Sequence, residues 1–153
     1  MKKNILFVLT VSILLTLTNF AFAQQKDITG LWKTIDDETH QPKSVVKIYI
    51  KDGKLYGDVV KLFRKPGEDP DPVCDKCDED DPRYNKKVLG MTIITGLEHD
   101  EDDDVWEDGD ILDPKKGKTY DCKLWLENGK LQVRGYVLFF HRTQEWLRYD
   151  GKI

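Results

Sequence analysis

The residues best suited to chemistry in this sequence are its three cysteines, Cys74, Cys77 and Cys122. A Cys-x-x-Cys pair can serve as a redox centre, as half of a zinc site or as a structural disulfide. Redox-active pairs usually open a helix whose N-terminus lowers the thiol pKa, but Cys74 and Cys77 lie in a segment rich in Pro and Asp. Because negative charge raises a thiol pKa, we expect a structural disulfide in this segment.

Two pairings of that disulfide are open. Chain entropy favours a bridge from Cys77 to Cys122, worth roughly 4 kcal/mol, over one from Cys74 to Cys77, worth about 2 kcal/mol. Cys122, however, falls on the inward face of a predicted strand, whereas the loop lies at a rim. We therefore predict the local bridge between Cys74 and Cys77, with Cys122 as a buried thiol that packs like a small hydrophobic side chain.

Other candidates for metal or hydrolytic chemistry lack a diagnostic spacing. A closed zinc site needs four ligands, the cysteines supply at most three, and His40, His99 and His141 have no typical spacing to complete it. Acidic stretches at 68–81 and 98–113 could attract calcium, but neither follows the EF-hand pattern. The sequence also has no Gly-x-Ser-x-Gly and no phosphate loop. We expect no cofactor, no metal site and no catalytic residue, and an enzyme is the less favoured alternative.

Two hairpins would position any binding site. Asn128-Gly129 and Asp52-Gly53 are dipeptides that favour two-residue β-turns between strands. The predicted pairs are Leu126–Leu131, Leu124–Val133, Cys122–Gly135 and Tyr120–Val137 in one hairpin, and Ile50–Leu55, Ile48–Gly57, Val46–Val59 and Val45–Val60 in the other. Because side chains alternate along a strand, each hairpin has one largely apolar face.

That apolar face supplies the candidates for a ligand cavity, and it carries one interior glycine in each hairpin. An inward glycine indicates sharp curvature, space left for a ligand or an ordinary β-bulge. The cavity candidates are Val46, Ile48, Gly57, Tyr120, Cys122, Leu124, Val133, Gly135 and Val137.

The rest of the chain adds strands and no helix. Further strands are predicted at 29–35, 88–97, 105–106, 111–112 and 142–149, which makes about eight in total. Short links and regular turn signals are typical of a sandwich or barrel, and hairpin-linked neighbours favour an antiparallel, up-and-down all-β barrel.

The N-terminal 23 residues have the pattern of a signal peptide. A basic start is followed by an apolar run at 5–17 and by Ala21-Phe22-Ala23, a small-x-small cleavage site. We predict cleavage after Ala23, a single domain at 24–153 and an exported protein, periplasmic or secreted, without a later membrane span. An uncleaved membrane anchor is the alternative.

The net charge of the mature chain limits the classes of partner that we expect it to bind. Loss of Lys2 and Lys3 takes the formal net charge from −4 to −6. An acidic chain without a basic cluster argues against nucleic acid and against anionic membrane surfaces.

Nine segments carry a family resemblance across nearly the whole mature chain. They are GLW at 30–32, VVKIY at 45–49, GKLYG at 53–57, DPVCDKC at 71–77, LGMTI at 89–93, GDILDP at 109–114, GKTY at 117–120, LQVRGY at 131–136 and RTQEW at 142–146. In these segments the chain resembles the exported bacterial family known as domain of unknown function 2147. The resemblance implies a lipocalin-like β-barrel without an established activity.

A weaker likeness to lipocalins concerns the base of the barrel. In lipocalin-like barrels a Trp of the first strand closes the base beneath a cationic side chain. The resemblance implies Trp32 and Arg142 as this barrel-closing pair.

The function predicted from these observations is binding of a small apolar or amphipathic ligand, or of an envelope protein, inside the barrel or at its mouth. A barrel of eight strands can also be filled by its own side chains. A structural envelope module without a ligand, and a metal-dependent hydrolytic enzyme, are therefore the alternatives.

Overall fold

The computed structural model describes residues 27–153, and the predicted signal peptide with its cleavage site lies outside the described residues. Eight antiparallel strands form a closed barrel in which each strand pairs with the next and β8 pairs with β1. The strands are β1 (Gly30–Ile35), β2 (Pro42–Lys51), β3 (Lys54–Leu62), β4 (Thr92–Asp100), β5 (Val105–Asp113), β6 (Lys118–Glu127), β7 (Lys130–Val137) and β8 (Phe140–Arg148). The predicted up-and-down barrel is confirmed.

Residues 27–153 contain no helix that is long and apolar enough to cross a membrane.

The two predicted turns form as expected. Asn128 and Asp52 both have positive φ, at 51° and 52°, and each is followed by a glycine with positive φ. The β6–β7 register pairs Cys122 with Gly135, and the β2–β3 register pairs Ile48 with Gly57, as predicted. These registers hold because a two-residue turn leaves only one alignment of the strands that flank it.

Two predicted pairs at the far ends of these ladders are wrong. A bulge between Val45 and Val46 pairs Val45 with Lys61 instead of Val60. A bulge inserts one extra residue into one strand, so every pair beyond it is displaced. The β6–β7 ladder ends at Asp121 and Tyr136, so it does not include the predicted pair of Tyr120 with Val137.

One end of the barrel is closed by packed side chains around Trp32, which is fully buried. The indole Nε1 of Trp32 donates a hydrogen bond to the carbonyl of Ile28 at 2.8 Å. The guanidinium carbon of Arg148 lies 4.0 Å from the centre of the Trp32 ring, which is a cation–π contact. Arg148 also donates to the carbonyl oxygens of Thr29 and Asp27, so it ties the chain ahead of β1 to the end of β8.

The predicted pairing of Trp32 with Arg142 is therefore wrong, because the β1–β8 register places Trp32 opposite Arg148. Arg142 lies six residues earlier in the same strand, which is roughly 20 Å away at about 3.3 Å per residue. Its guanidinium instead contacts Asp37 at the opposite end of the barrel.

This correction predicts different stability losses for the two arginines. Arg148→Ala should lower the free energy of unfolding by about 1–3 kcal/mol, since it removes a cation–π contact and two hydrogen bonds from the base. Arg142→Ala removes an exposed ion pair and should cost less than about 1 kcal/mol. Urea unfolding followed by tryptophan fluorescence measures both. Equal losses would show that Arg148 does not close the base.

Candidate functional site

The other end of the barrel is open. The connections at 36–41, 63–91, 114–117 and 138–139 all lie at this end, because alternate connections of an up-and-down barrel meet at the same rim. A cavity of about 980 Å³ extends from this rim into the barrel. Its volume lies at the upper end of the range typical of small-molecule sites, which is roughly 300–1,000 Å³.

Apolar side chains from six strands form the wall of this cavity. They include Val59 of β3, Ile93 of β4, Ile111 and Leu112 of β5, Tyr120 of β6, Val133 and Val137 of β7, and Trp146 of β8. Four of the nine predicted cavity residues line it, namely Tyr120, Val133, Gly135 and Val137. The other five, Val46, Ile48, Gly57, Cys122 and Leu124, lie outside its lining.

The two inward glycines play different roles. A Cβ atom placed on Gly57 would lie 2.9 Å from Cδ1 of Ile48 and 3.0 Å from Cδ1 of Ile94, so that position is already filled. A Cβ on Gly135 would be 3.8 Å from Cβ of Tyr120 and 4.0 Å from Cγ2 of Ile111, which are ordinary contacts. Gly57 thus allows close packing of the core, and Gly135 leaves space in the cavity wall.

A polar cluster stands in the mouth of the cavity, and we call Asp37, Arg142 and Gln144 the mouth cluster. Nη2 of Arg142 lies 2.7 Å from Oδ2 of Asp37, and Nε2 of Gln144 donates a hydrogen bond to the same oxygen. The indole Nε1 of Trp146 donates to Oε1 of Gln144 at 3.3 Å. All four residues line the cavity, so its mouth combines charge with an aromatic wall.

The mouth cluster also bridges the seam of the barrel. The β1–β8 ladder has two pairs, Trp32 with Arg148 and Lys33 with Leu147, both near the closed end. Towards the mouth, the side chain of Asp37 reaches from the β1–β2 connection to β8. The seam is therefore held by backbone pairing at the base and by side chains at the mouth.

The loop that carries Asp37 is held in shape by its neighbour Asp36. Oδ1 of Asp36 accepts hydrogen bonds from the backbone N–H of Thr39 at 2.8 Å and from its hydroxyl at 2.9 Å. The bonds from Thr39 hold the pKa of the Asp36 carboxyl below its usual value. Asp36 thus stays ionised to lower pH than a free Asp, and the loop keeps its hydrogen bonds there.

A second polar pair lies on the cavity wall between β1 and β2. The hydroxyl oxygens of Thr34 and Ser44 are 2.8 Å apart, and both residues are buried. Each hydroxyl has a partner in the protein, so neither needs a ligand to satisfy it.

Comparison with known proteins agrees with this barrel. Residues 30–148 match a family described as an uncharacterized protein conserved in bacteria, DUF2147. The chain belongs to this family. Protein HP1028 from the human pathogen Helicobacter pylori, described as belonging to the lipocalin family, has a similar structure with a TM-score of 0.67. The two share 16% identity over 81% of this chain and 84% of HP1028, so the likeness concerns the fold alone. No curated protein is significantly similar to the chain in sequence.

In this DUF2147 protein the predicted disulfide between Cys74 and Cys77 is present. The loop that it closes packs on the β5–β6 turn, where Sγ of Cys74 lies 3.5 Å from the carbonyl oxygen of Pro114. Cys122 is a buried free thiol, as predicted. Burial raises its thiol pKa well above the usual value, and Asp110 and Asp121 add to this effect. The thiol is thus protonated and unreactive at neutral pH.

A smaller cavity of about 240 Å³ lies at the closed end of the DUF2147 barrel and is lined by Asp27, Ile28, Ile50, His99, Asp104, Trp106 and Leu126. The His99 and Trp106 rings stack with their centres 4.8 Å apart. Nowhere in residues 27–153 do three or more His, Cys, Asp or Glu side chains gather closely enough to hold a metal ion.

The polar part of the large cavity is not predicted from the sequence. Thr34, Ser44 and Asp37 lie outside the nine family segments, Gln144 lies in RTQEW without a role implied for it, and the likeness to lipocalins places Arg142 at the wrong end of the barrel. One feature of the sequence does indicate this arrangement, namely the alternation of side chains between the two faces of β8. Arg142, Gln144 and Trp146 share one face of β8, opposite Gly135, Val133 and Leu131.

Proposed function

We propose that this DUF2147 protein is exported and binds one small amphipathic molecule in the mouth of its barrel. The observation that carries the proposal is the cavity of about 980 Å³, whose deep wall is apolar and whose opening holds the mouth cluster. Sites of this kind bury the apolar body of a ligand and fix its orientation with a few polar groups. The apolar body would contact Val133, Tyr120 and Trp146, and the polar end would lie at Arg142.

The chemistry of Arg142 indicates which polar groups the site would accept. A guanidinium has five N–H donors and no acceptor, and in Arg142 one nitrogen contacts Asp37. The remaining donors suit a carboxylate, sulfonate, phosphate or carbonyl oxygen. Because Asp37 already neutralises the cation, the site favours acceptor groups without requiring a full negative charge.

Two matched fluorescent probes test this proposal. Anilinonaphthalene sulfonate and N-phenylnaphthylamine share one aromatic body, and only the first carries an anionic group. Both should bind the folded protein at one site, with the fluorescence increase saturating at equal amounts of probe and protein. Arg142→Gln should weaken binding of the sulfonate about tenfold and leave binding of the neutral probe nearly unchanged, since it removes one charge-assisted hydrogen bond.

Thr143→Gln is a suitable control, because Thr143 is the neighbour of Arg142 on the outward face of β8. Failure of both probes to bind would contradict a ligand site in the mouth. Equal weakening of both probes by Arg142→Gln would contradict the proposed role of Arg142. Export is checked separately by N-terminal sequencing of the processed protein, which should begin at Gln24.

A further inference from the structure

The tip of the β7–β8 hairpin is an exposed apolar protrusion beside the cavity mouth. The side chains of Leu138, Phe139 and Phe140 are 92%, 95% and 77% exposed, and Val137 is half exposed. We call residues 137–140 the apolar tip. Val137 also lines the cavity, so the tip is continuous with the mouth. Four neighbouring apolar side chains at one solvent-facing turn are unusual on a soluble surface and mark an interaction site.

The backbone of the tip adds a second observation. Leu138 has φ of 52°, a conformation that is rare for a bulky residue and common for glycine. Two-residue hairpin turns normally carry Gly, Asn or Asp at such positions, as the two other such turns of this barrel do. The backbone conformation of Leu138 therefore lowers the stability of the fold, and burial of its side chain does not offset this loss. A leucine at this position is not explained by folding alone.

The charge at the rim around the tip is mixed. The β7–β8 hairpin carries Arg134 and Arg142 towards the tip, and Arg142 is paired with Asp37. The β5–β6 turn at the same rim adds Lys115 and Lys116. The acidic turn at 100–104, with five consecutive Asp and Glu residues, lies at the opposite end of the barrel. The connections at 36–41 and 63–91, however, lie at the same rim as the tip and carry eleven Asp and Glu residues, so the acidic net charge extends to this end and gives no preference for anionic membranes.

We infer that the apolar tip inserts into the surface of a lipid bilayer and holds the cavity mouth against the membrane. A narrow convex tip of four side chains presents on the order of 500 Å², less than the roughly 800 Å² per partner of a typical protein interface. Lipid chains close around a protruding tip without a matching groove, and this apolar contact needs no anionic head group. This contact does not depend on what the cavity binds.

Vesicle co-sedimentation tests the inference with protein beginning at Gln24, which contains every strand of the barrel and lacks the apolar N-terminal run. Wild type should bind vesicles of phosphatidylcholine, and it should bind vesicles that also contain phosphatidylglycerol no more tightly, because the rim is acidic. The double variant Leu138→Gly, Phe139→Ser should lose at least about tenfold in affinity. Ile153→Ser is the matched control, because it removes another exposed apolar side chain and should bind like wild type.

The single variant Leu138→Gly removes one apolar side chain of the tip and leaves the turn folded, because glycine relieves the positive φ. The tip variants should retain their affinity for anilinonaphthalene sulfonate, because Leu138 and Phe139 do not line the cavity. Vesicle binding that is absent in wild type, or equal in wild type and both variants, would overturn the inference. A wild-type dimer that becomes a monomer in the tip variants would assign the tip to a second copy and also overturn it.

Discussion

Replacing Gly135 with valine should leave the barrel as stable as wild type, while the same replacement at Gly57 should destabilise it by about 1–3 kcal/mol. Both glycines lie on the inward face of a strand, but a Cβ at Gly57 meets Ile48 and Ile94 at 2.9–3.0 Å. At Gly135 the first contacts are at 3.8 Å and 4.0 Å, and valine has the higher strand propensity. Urea unfolding of the two variants measures this difference.

The same position should control ligand binding. Gly135→Val and Gly135→Phe place progressively larger side chains in the cavity wall beside Tyr120 and Ile111, so affinity for N-phenylnaphthylamine should fall in that order. We expect a loss of at least about tenfold for the phenylalanine variant, which displaces probe surface of comparable area. If Gly135→Val unfolds as readily as Gly57→Val, there is no free space beside Gly135, and this part of the proposed cavity is contradicted.

These two glycines show that the register of a hairpin predicts which residues pair, but not how much space lies beside them. The dipeptides Asn128-Gly129 and Asp52-Gly53 determine which residues oppose each other, so the pairs Cys122–Gly135 and Ile48–Gly57 follow from the sequence. The space beside a glycine, however, is filled or left empty by a third strand. Ile94 of β4 fills the space beside Gly57, and no local pattern in β2 or β3 predicts this contact.

Strand β5 illustrates a second limit. The sequence predicts two short strands, 105–106 and 111–112, on either side of Gly109. In the barrel β5 is one strand with an irregularity at its middle, where Asp108 has φ of 58° and the β5–β6 register shifts between Trp106 and Gly109. Pairing with β4 and β6 on both sides of Asp108 therefore joins the two predicted segments into one strand, and the irregularity between them remains.

The mouth cluster cannot be predicted from the sequence for a related reason. Asp37 and Gln144 are 107 residues apart, and they meet only because the first and last strands close the barrel. No turn connects β1 to β8, so nothing local specifies their register. For the same reason the alignment of β8 with Trp32 does not follow from the sequence, and the likeness to lipocalins implies Arg142 where the barrel has Arg148.

Gly117→Ala should be among the most destabilising single-methyl substitutions in this protein. A Cβ on Gly117 would lie 1.8 Å from the carbonyl oxygen of Lys76 and 2.5 Å from the backbone nitrogen of Cys77. These atoms belong to the disulfide loop, whose short covalent ring limits how far they can move. Gly117 also has φ of 65°, which alanine adopts at a cost of about 1–2 kcal/mol. With overpacking of about 1–3 kcal/mol, the expected loss is about 2–5 kcal/mol.

Gly129→Ala separates these two contributions. Gly129 has φ of 76°, and a Cβ atom added to it would meet nothing within 4 Å, so alanine there bears only the backbone cost. Urea unfolding of both variants should show a loss at Gly117 that exceeds the loss at Gly129 by at least about 1 kcal/mol. Equal losses would mean that the disulfide loop moves freely away from the β5–β6 turn. Because Asp75 and Lys76 line the cavity, a loop displaced by the alanine should also weaken probe binding, which Gly129→Ala should leave unchanged.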